Sequence, residues 1–457
     1  MSTGMSTGET AIGRLARWVA SLAPVDIPPA VLAVAVRASI DTIGVALAGT
    51  RTDLGSQARR VAVSVSSHGS SGVWGSRLTL TAPAAAFANG VAAHALDFDD
   101  NCYAGFVHAS AVIVPAAWAA VQEAGRSGKD FLASFVAGAE VEFAVAHAMG
   151  LTPYHRGWWT TGLYGVIGAC AAACHAFELD AQATASALGL AIAGTGGMKA
   201  AFGSDAKALM VGRAAQAGIT AALLAREGCR GPENALDGPA GLAALTGADT
   251  YCAAPFDTLG RTWRLLSPGL DVKRIPVCLS SHAAVDALRD LIAEGLDVRS
   301  VERIVCDVPP IVVKNLVYMQ PTTRQQAQFS LPYAMAATLV DGDVTLAGLT
   351  PEALARPALQ AAMQHVRLRT SERWADSALL ADAPEGAWLR VELRDGRTIE
   401  RFRAAALGTV ASPMSDGEFD RKFMSCAMAA HDETTTACWL STLRDIERVP
   451  SLASIGL

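Results

Sequence analysis

The amino-acid sequence predicts a mainly α protein: one large, all-helical domain built from both chain ends, residues 1–265 and 406–457, with a smaller α+β domain, residues 266–405, inserted between them. Three observations predict it. Up to residue 265, long Ala-rich apolar stretches are broken by Gly and Pro and carry few β-branched runs, which is helical text. From residue 266 the pattern changes: residues 301–308 read as a strand stopped by Pro309 and Pro310, and residues 388–393 alternate before Asp395-Gly396. After Pro413 helical text returns, with Ser415 and Glu418 at the spacing of a capping box. At 457 residues the chain also exceeds what a single core serves, so more than one domain is expected.

In chain order, residues 1–11 repeat the tetrapeptide MSTG and read as a disordered tail or a duplicated start. Asp26, Pro28 and Pro29 open a helix over 31–47, and Gly49 closes it. Residues 129–149 and 213–227 read the same way, the second ending at Gly228. Their apolar positions spread around the helix, so burial on more than one side is expected. Residues 160–177 approach the length of a membrane span, yet they are rich in Gly and Ala and carry His175, so a tightly packed buried helix is expected and no membrane partner. Residues 397–402 do not match 388–393 in a two-residue hairpin register, so the turn at Asp395-Gly396 is predicted without the pairing.

Composition narrows the function classes. The chain is 51% hydrophobic and 18% charged, which points to extensive buried helix or a subunit interface. Net charge is -6 and no Lys/Arg stripe forms, so nucleic acid is not an expected partner. The nine cysteines are odd in number, form no C-x-x-C pair and follow no secretory signal; a reducing cytoplasm is expected.

Chemistry concentrates in three places. His94-Ala-Leu-Asp97-Phe-Asp99-Asp100-Asn101, followed by His108, sets three carboxylates within four residues, and these repel one another unless donors, a cation or solvent compensate. It reads either as a helix end whose aspartates act as caps or as a divalent-metal cluster; D-D-x-x-D spacing fails at Tyr103. Lys207 stands alone between apolar stretches, either a proton acceptor made available by burial or a packed stem reaching solvent or Asp205. Lys273 and Arg274 together suit a carboxylate-bearing ligand. Cys278 and His282, four residues apart, offer half a zinc site with no second pair nearby, and His282 reads more simply as a hydrogen-bonded structural residue. No Walker loop, dinucleotide fingerprint or G-x-S-x-G elbow occurs.

Taken together, these segments resemble the MmgE/PrpD family. The likeness runs through Asp41-Thr-Ile-Gly44, Trp74-Gly75, Ala88 to His94, the Asp97 to Asp100 run with His108, residues 157–168, Lys207 with Gly212, residues 273–282 and 321–333, and Pro413-Met-Ser415 with Lys422-Phe423. The resemblance implies a large helical domain, a smaller α+β lid, a site in the cleft between them, a homodimer, and neither metal nor organic cofactor. Family members dehydrate 2-methylcitrate, decarboxylate cis-aconitate or epimerise iminodisuccinate, each moving a proton beside a carboxylate. Asp97, His108 and Lys207 fall on family site positions, Asn101 stands where the decarboxylase usually has a threonine, and Tyr318 lies near the position of a site tyrosine.

Two departures shape the expectation. This chain reads Gly157-Trp158-Trp159 where dehydratases and decarboxylases of the family place a histidine after Gly-Phe, and Cys278 replaces a second histidine of the decarboxylase. Both losses remove donors that would hold a tricarboxylate or protonate a leaving hydroxyl. The expectation is therefore a cofactor-free epimerase of a small di- or polycarboxylate, iminodisuccinate-like. Its alternatives are a 2-methylcitrate-type dehydratase and a non-catalytic carboxylate binder. Lys207 and His108 form the expected acid–base pair, with Asp97 orienting His108, Lys273 or Arg274 holding a substrate carboxylate, and Tyr318, Asn101, Trp159 and Cys278 completing the site.

Overall fold

The computed structural model describes residues 9–456, so most of the tail expected at the amino terminus lies outside the described residues. The described part of that tail already enters a helix, Ala11–Ser21. Thr10 caps it by accepting from Gly13 N, and Ile12, Leu15, Ala16 and Val19 recur at helical spacing on its buried face.

The chain packs around two main hydrophobic cores. One draws on residues from Ala11 to Leu265 and again from Met414 to Ile455. The other draws on residues from Ile275 to Ala406. The first is built of helices, chiefly Pro29–Gly49, Ala82–His94, Ala109–Glu123, Gly128–Met149, Thr160–Ala176 and Ala206–Arg226. It is not wholly helical: β1 (His68–Gly72) and β2 (Thr79–Leu80) form a small antiparallel ribbon, a pairing that the short, polar β1 segment gave no alternation to announce.

Three of these helices, Pro29–Gly49, Gly128–Met149 and Ala206–Arg226, are long and apolar enough to cross a membrane. In this fold they face other helices, and 94% of the most apolar window of Gly128–Met149 is buried inside the protein. Thr160–Ala176 is likewise buried at every position. Ala206–Arg226 begins seven residues before the expected start at 213. Gly212 is no breaker: a Cβ there would lie 2.5 Å from the Phe87 carbonyl oxygen, and one on Gly90 would lie 3.1 Å from Gly212 Cα. The glycines let the helices Ala82–His94 and Ala206–Arg226 approach backbone to backbone, bringing the end of one and the start of the other to the same place.

The second core carries a four-stranded mixed sheet in the order β4-β3-β5-β6, from β3 (Val301–Asp307), β4 (Val366–Arg369), β5 (Ala387–Leu393) and β6 (Thr398–Arg403). β3 and β4 run parallel, and the other pairs antiparallel. β5 and β6 pair from Ala387↔Arg403 to Glu392↔Thr398. Leu393 N donates to Arg397 O, leaving a three-residue loop, 394–396, with Gly396 at φ 86°. An odd loop with a left-handed glycine explains why a two-residue register did not fit. Ser415 and Glu418 form the expected capping box on Asp416–Ala427. At the junction between the cores, buried Glu140 accepts from Arg264 N (2.9 Å) and Leu265 N (2.8 Å), pinning the chain where it leaves the helices.

Candidate functional site

The site grows from the end of the helix Ala82–His94. His94 occupies its last turn, and the chain then turns through Asp97, a non-glycine at φ 48°. Residues 101–107 form a miniature pairing: Asn101 exchanges backbone bonds with Asp271 (2.9 and 2.8 Å), and Cys102 with Val107 (2.8 and 3.1 Å). His108 follows as the residue before the helix Ala109–Glu123, its backbone N–H donating to Thr161 Oγ1 at 2.9 Å. Lys207 lies in the first turn of Ala206–Arg226, where the helix dipole opposes a cation. It stays there, 5% exposed, because Asp97 accepts a hydrogen bond from its ammonium.

Asp97 is shared. Lys273, 1% exposed, donates to the other carboxylate oxygen at 2.9 Å and to the Asp97 carbonyl at 2.8 Å. Burial pushes the Asp97 carboxyl up, and the two ammoniums more than reverse this, holding it well below the usual carboxylate range. Asp97 therefore orients Lys207 and not His108, contrary to the expected role. His108 Nδ1 instead donates to the Asp100 carbonyl at 2.7 Å and lies 3.4 Å from Asp99 Oδ2. Burial lowers the His108 imidazole well below its ordinary range against the pull of Asp99, which keeps the ring neutral with Nε2 free of the proton.

His94 and Asp99 are site residues that sequence reading quoted without assigning a role. His94 Nδ1 donates to Asp99 Oδ2 at 2.7 Å, and its ring stands 4.9 Å from that of His108 and 5.4 Å from that of Trp159. The ligand-type atoms of His94, Asp99 and His108 all lie within 4.8 Å of one another. Both imidazoles turn Nδ1 toward oxygen acceptors, however: a proton bridges His94 and Asp99, and the His108 proton goes to the Asp100 carbonyl. The arrangement is a pair of imidazoles, one oriented by the Asp99 carboxylate and the other by the Asp100 carbonyl.

Below this layer lies a second acid group. Ser110 donates to Asp100, whose carboxyl is pushed up to about 8 by burial, with Asp41 and Asp99 adding to the rise. Glu142 is fully buried, and neither of its oxygens has a partner among the described residues. Burial, then Asp100, lifts its carboxyl well above the usual range, so it is protonated at neutral pH. In the unfolded chain glutamate titrates near about 4.3, so folding takes up a proton above that pH and stability falls as pH rises. Glu142→Gln removes this dependence: its thermal midpoint should exceed the wild type's by several degrees at about pH 8 and converge on it near about pH 4. A pH-independent difference between the two melting curves would refute the assignment.

One cavity collects these groups. Asp97, Asn101, His108, Trp159, Lys207 and Cys278 all line it. Lys207 is its one cationic lining side chain among the described residues. The ammonium sits 5.3 Å from the Trp159 ring, 5.3 Å from Phe202 and 5.0 Å from Phe329, a cage that favours charge through the ring faces. Cys278 faces the cavity with its thiol pushed up to about 11 by burial, so it stays protonated. The opposite wall, from the second core, adds Ser280, Asn315 and Glu385, none of which sequence reading singled out.

Three expected site residues stand elsewhere: Lys273 and Arg274, expected to bind substrate, and Tyr318, expected to take part in catalysis. Arg274 turns away and pairs with Asp286 (3.0 Å) and Asp343 (2.6 Å), because both carboxylates belong to its own half of the protein. Lys273 is consumed by Asp97 and does not line the cavity. Tyr318 also stays outside the lining; its hydroxyl donates to the Phe202 carbonyl at 3.1 Å and so fixes the segment whose ring forms the cage. His282 Nε2 is bonded to the Val277 carbonyl at 3.1 Å, a structural role, and Cys278 has no metal-ligand partner in it.

Comparison with known proteins bears on this geometry directly. The MmgE/PrpD N-terminal domain description matches residues 13–251, and the MmgE/PrpD C-terminal domain description matches residues 275–447. The chain belongs to the MmgE/PrpD family. Its two matched regions correspond to the stretches that carry most of the helical core and of the sheet-bearing core. Within the MmgE/PrpD family, the chain is 28% identical to the cis-aconitate decarboxylase of Homo sapiens over 423 residues, covering 90% of this chain and 86% of that one. It is 29% identical to the cis-aconitate decarboxylase-like protein oryM of Aspergillus oryzae over 443 residues, covering 92% and 90%. The cis-aconitate decarboxylase of Aspergillus terreus is 23% identical over 445 residues, with the same coverage.

Proposed function

We propose that this protein is a cofactor-independent epimerase that moves a proton at the carbon next to a carboxylate of a small di- or polycarboxylate, iminodisuccinate-like. The observation that carries the reading is the pairing of a neutral imidazole, His108, with a fixed ammonium, Lys207, on one cavity. His108 Nε2 removes the α-proton. The electron pair left on carbon spreads into the adjacent carboxylate as an enediolate, and Lys207 neutralises the charge that develops there. Asp97, itself fixed by Lys273, holds that ammonium in place before the substrate arrives.

A single lining cation balances one carboxylate well and three poorly. Trp159 and Cys278 add bulk and a protonated thiol and no further positive charge. Both features favour proton transfer on a smaller anion. A second reading, decarboxylation, is favoured by the identity to proteins named cis-aconitate decarboxylase. The same enediolate-type charge would then form by breaking a carbon–carbon bond.

Incubation with the stereoisomers of iminodisuccinate, with 2-methylcitrate and with cis-aconitate in deuterated water separates the readings. We expect deuterium at the α-carbon of iminodisuccinate and interconversion of its stereoisomers, without a new alkene or carbon dioxide, and loss of both signals in Lys207→Ala. Carbon dioxide from cis-aconitate, or an alkene from 2-methylcitrate, would replace the epimerase reading. Saturable binding of these anions with no turnover would make the protein a carboxylate binder.

A further inference from the structure

His108 and Lys207 both arise from the helical core, each bonded to the 95–101 turn, and so present proton-handling groups from one wall of the cavity. Inversion at carbon requires a proton to leave one face and another to arrive on the opposite face. The second wall carries two ionisable side chains, Cys278 and Glu385. Glu385 projects from the tight turn ahead of β5, where Gly386 N donates to Ala383 O at 3.1 Å.

The Glu385 carboxyl is gripped at both oxygens, and one of the two donors is itself held in place. Tyr103 donates to Oε2 at 2.5 Å, Ser280 donates to Oε1, and Asn315 Nδ2 donates to that Ser280 hydroxyl at 3.1 Å. This network fixes the carboxyl against the cavity with a rotatable hydroxyl beside each oxygen. Either hydroxyl can switch from donor to acceptor, so the carboxyl keeps both partners with or without its proton. Burial raises the group above its ordinary range against the hydrogen bonds from Ser280 and Tyr103, which favours the protonated state.

We propose that Glu385 is the second catalytic acid–base group of this site, acting on the face of the reacting carbon opposite His108. The assignment rests on the proton-transfer reading above. In one direction His108 Nε2 takes the α-proton and becomes imidazolium, while the C–H electron pair enters the enediolate. The Glu385 O–H bond then breaks, its proton forms the new C–H bond from the other side, and Glu385 is left as carboxylate. Exchange of protons with water resets both groups, and the reverse direction uses them in opposite order. Substrate carbon is neither oxidised nor reduced.

Glu385→Gln tests this, because the amide keeps the size and the hydrogen bonds and removes the transferable proton. The probes are the separate stereoisomers of iminodisuccinate in deuterated water, followed by α-deuterium content and by stereoisomer ratio. We expect the variant to exchange the α-proton of one starting configuration at about the wild-type rate, through His108, while interconversion falls about 10²–10⁴-fold. Glu385→Asp, which keeps an acid, should restore part of the interconversion. Interconversion retained in Glu385→Gln overturns the assignment, and so does parallel loss of exchange and interconversion in a variant that melts like the wild type. A Glu385→Gln chain that fails to fold shifts the decision to Glu385→Asp, where exchange and interconversion falling in equal proportion overturns it. Wild-type protein that exchanges nothing from any stereoisomer fails at the earlier step and removes the proton-transfer reading with it.

Discussion

Replacing Asp97 with alanine is expected to cost about 3–5 kcal/mol of stability and to abolish α-proton exchange. Asp97 is the common partner of Lys207 and Lys273, both almost wholly buried. Removing it leaves two ammoniums facing each other in a desolvated space, one of them at the positive end of a helix. That is the most expensive way to disturb a buried ion network, since the charges remain and only their compensation goes. Denaturant unfolding should show a lower midpoint with an unchanged slope. Asp97→Asn, which keeps an acceptor oxygen and loses the charge, should fall between the alanine variant and the wild type. A loss below about 1 kcal/mol in Asp97→Ala would mean that the ammoniums find other partners, and the proposed anchoring of Lys207 would fail.

His108→Asn is expected to reduce exchange of the starting configuration whose α-proton faces it about 10²–10⁴-fold while leaving the thermal midpoint within a few degrees of the wild type. The asparagine amide is bonded to Cγ as Nδ1 is and can donate to the Asp100 carbonyl in its place, so the fold keeps its bond and that direction of the reaction loses its base. The wild-type pH profile carries a second signature. Burial lowers the imidazole's affinity for a proton, so the neutral, competent form persists as pH falls through the ordinary histidine value of about 6.5, and the acid limb of kcat/KM lies below it. An acid limb at or above that value would show that His108 is not the base being titrated.

Much of this site was legible as isolated anomalies. Asp97, His108 and Lys207 stand out because charged and polar groups in apolar helical text need partners, and all three reach the cavity. Which group partners which was not legible: Lys207 and Asp97 meet across 110 positions, and spacing along a chain says nothing of contacts that distant. Lys273 and Arg274, adjacent in sequence, diverge because one faces the helical core's aspartate and the other the carboxylates of its own half. Tyr318 was placed near the site by resemblance, and its hydroxyl turns to a backbone carbonyl instead. Glu385 left no signal, since a glutamate in a polar turn looks like any solvated loop residue until the opposing wall closes over it. For the fold, helix text was readable and its boundaries less so. Gly212 reads as punctuation in one dimension and as a contact in three.

Two tyrosines of the helical core reach across to the second wall: Tyr103 to Glu385 at 2.5 Å and Tyr154 to Asn315 at 3.0 Å. Each such bond contributes about 0.5–1.5 kcal/mol net, so together they bias the shut arrangement by about 1–3 kcal/mol. From these two bonds alone that corresponds to a factor of about 5–150 in favour of the shut arrangement. Removing both hydroxyls, in a Tyr103→Phe, Tyr154→Phe double variant, would take that factor away and leave the two walls joined only by what else spans them.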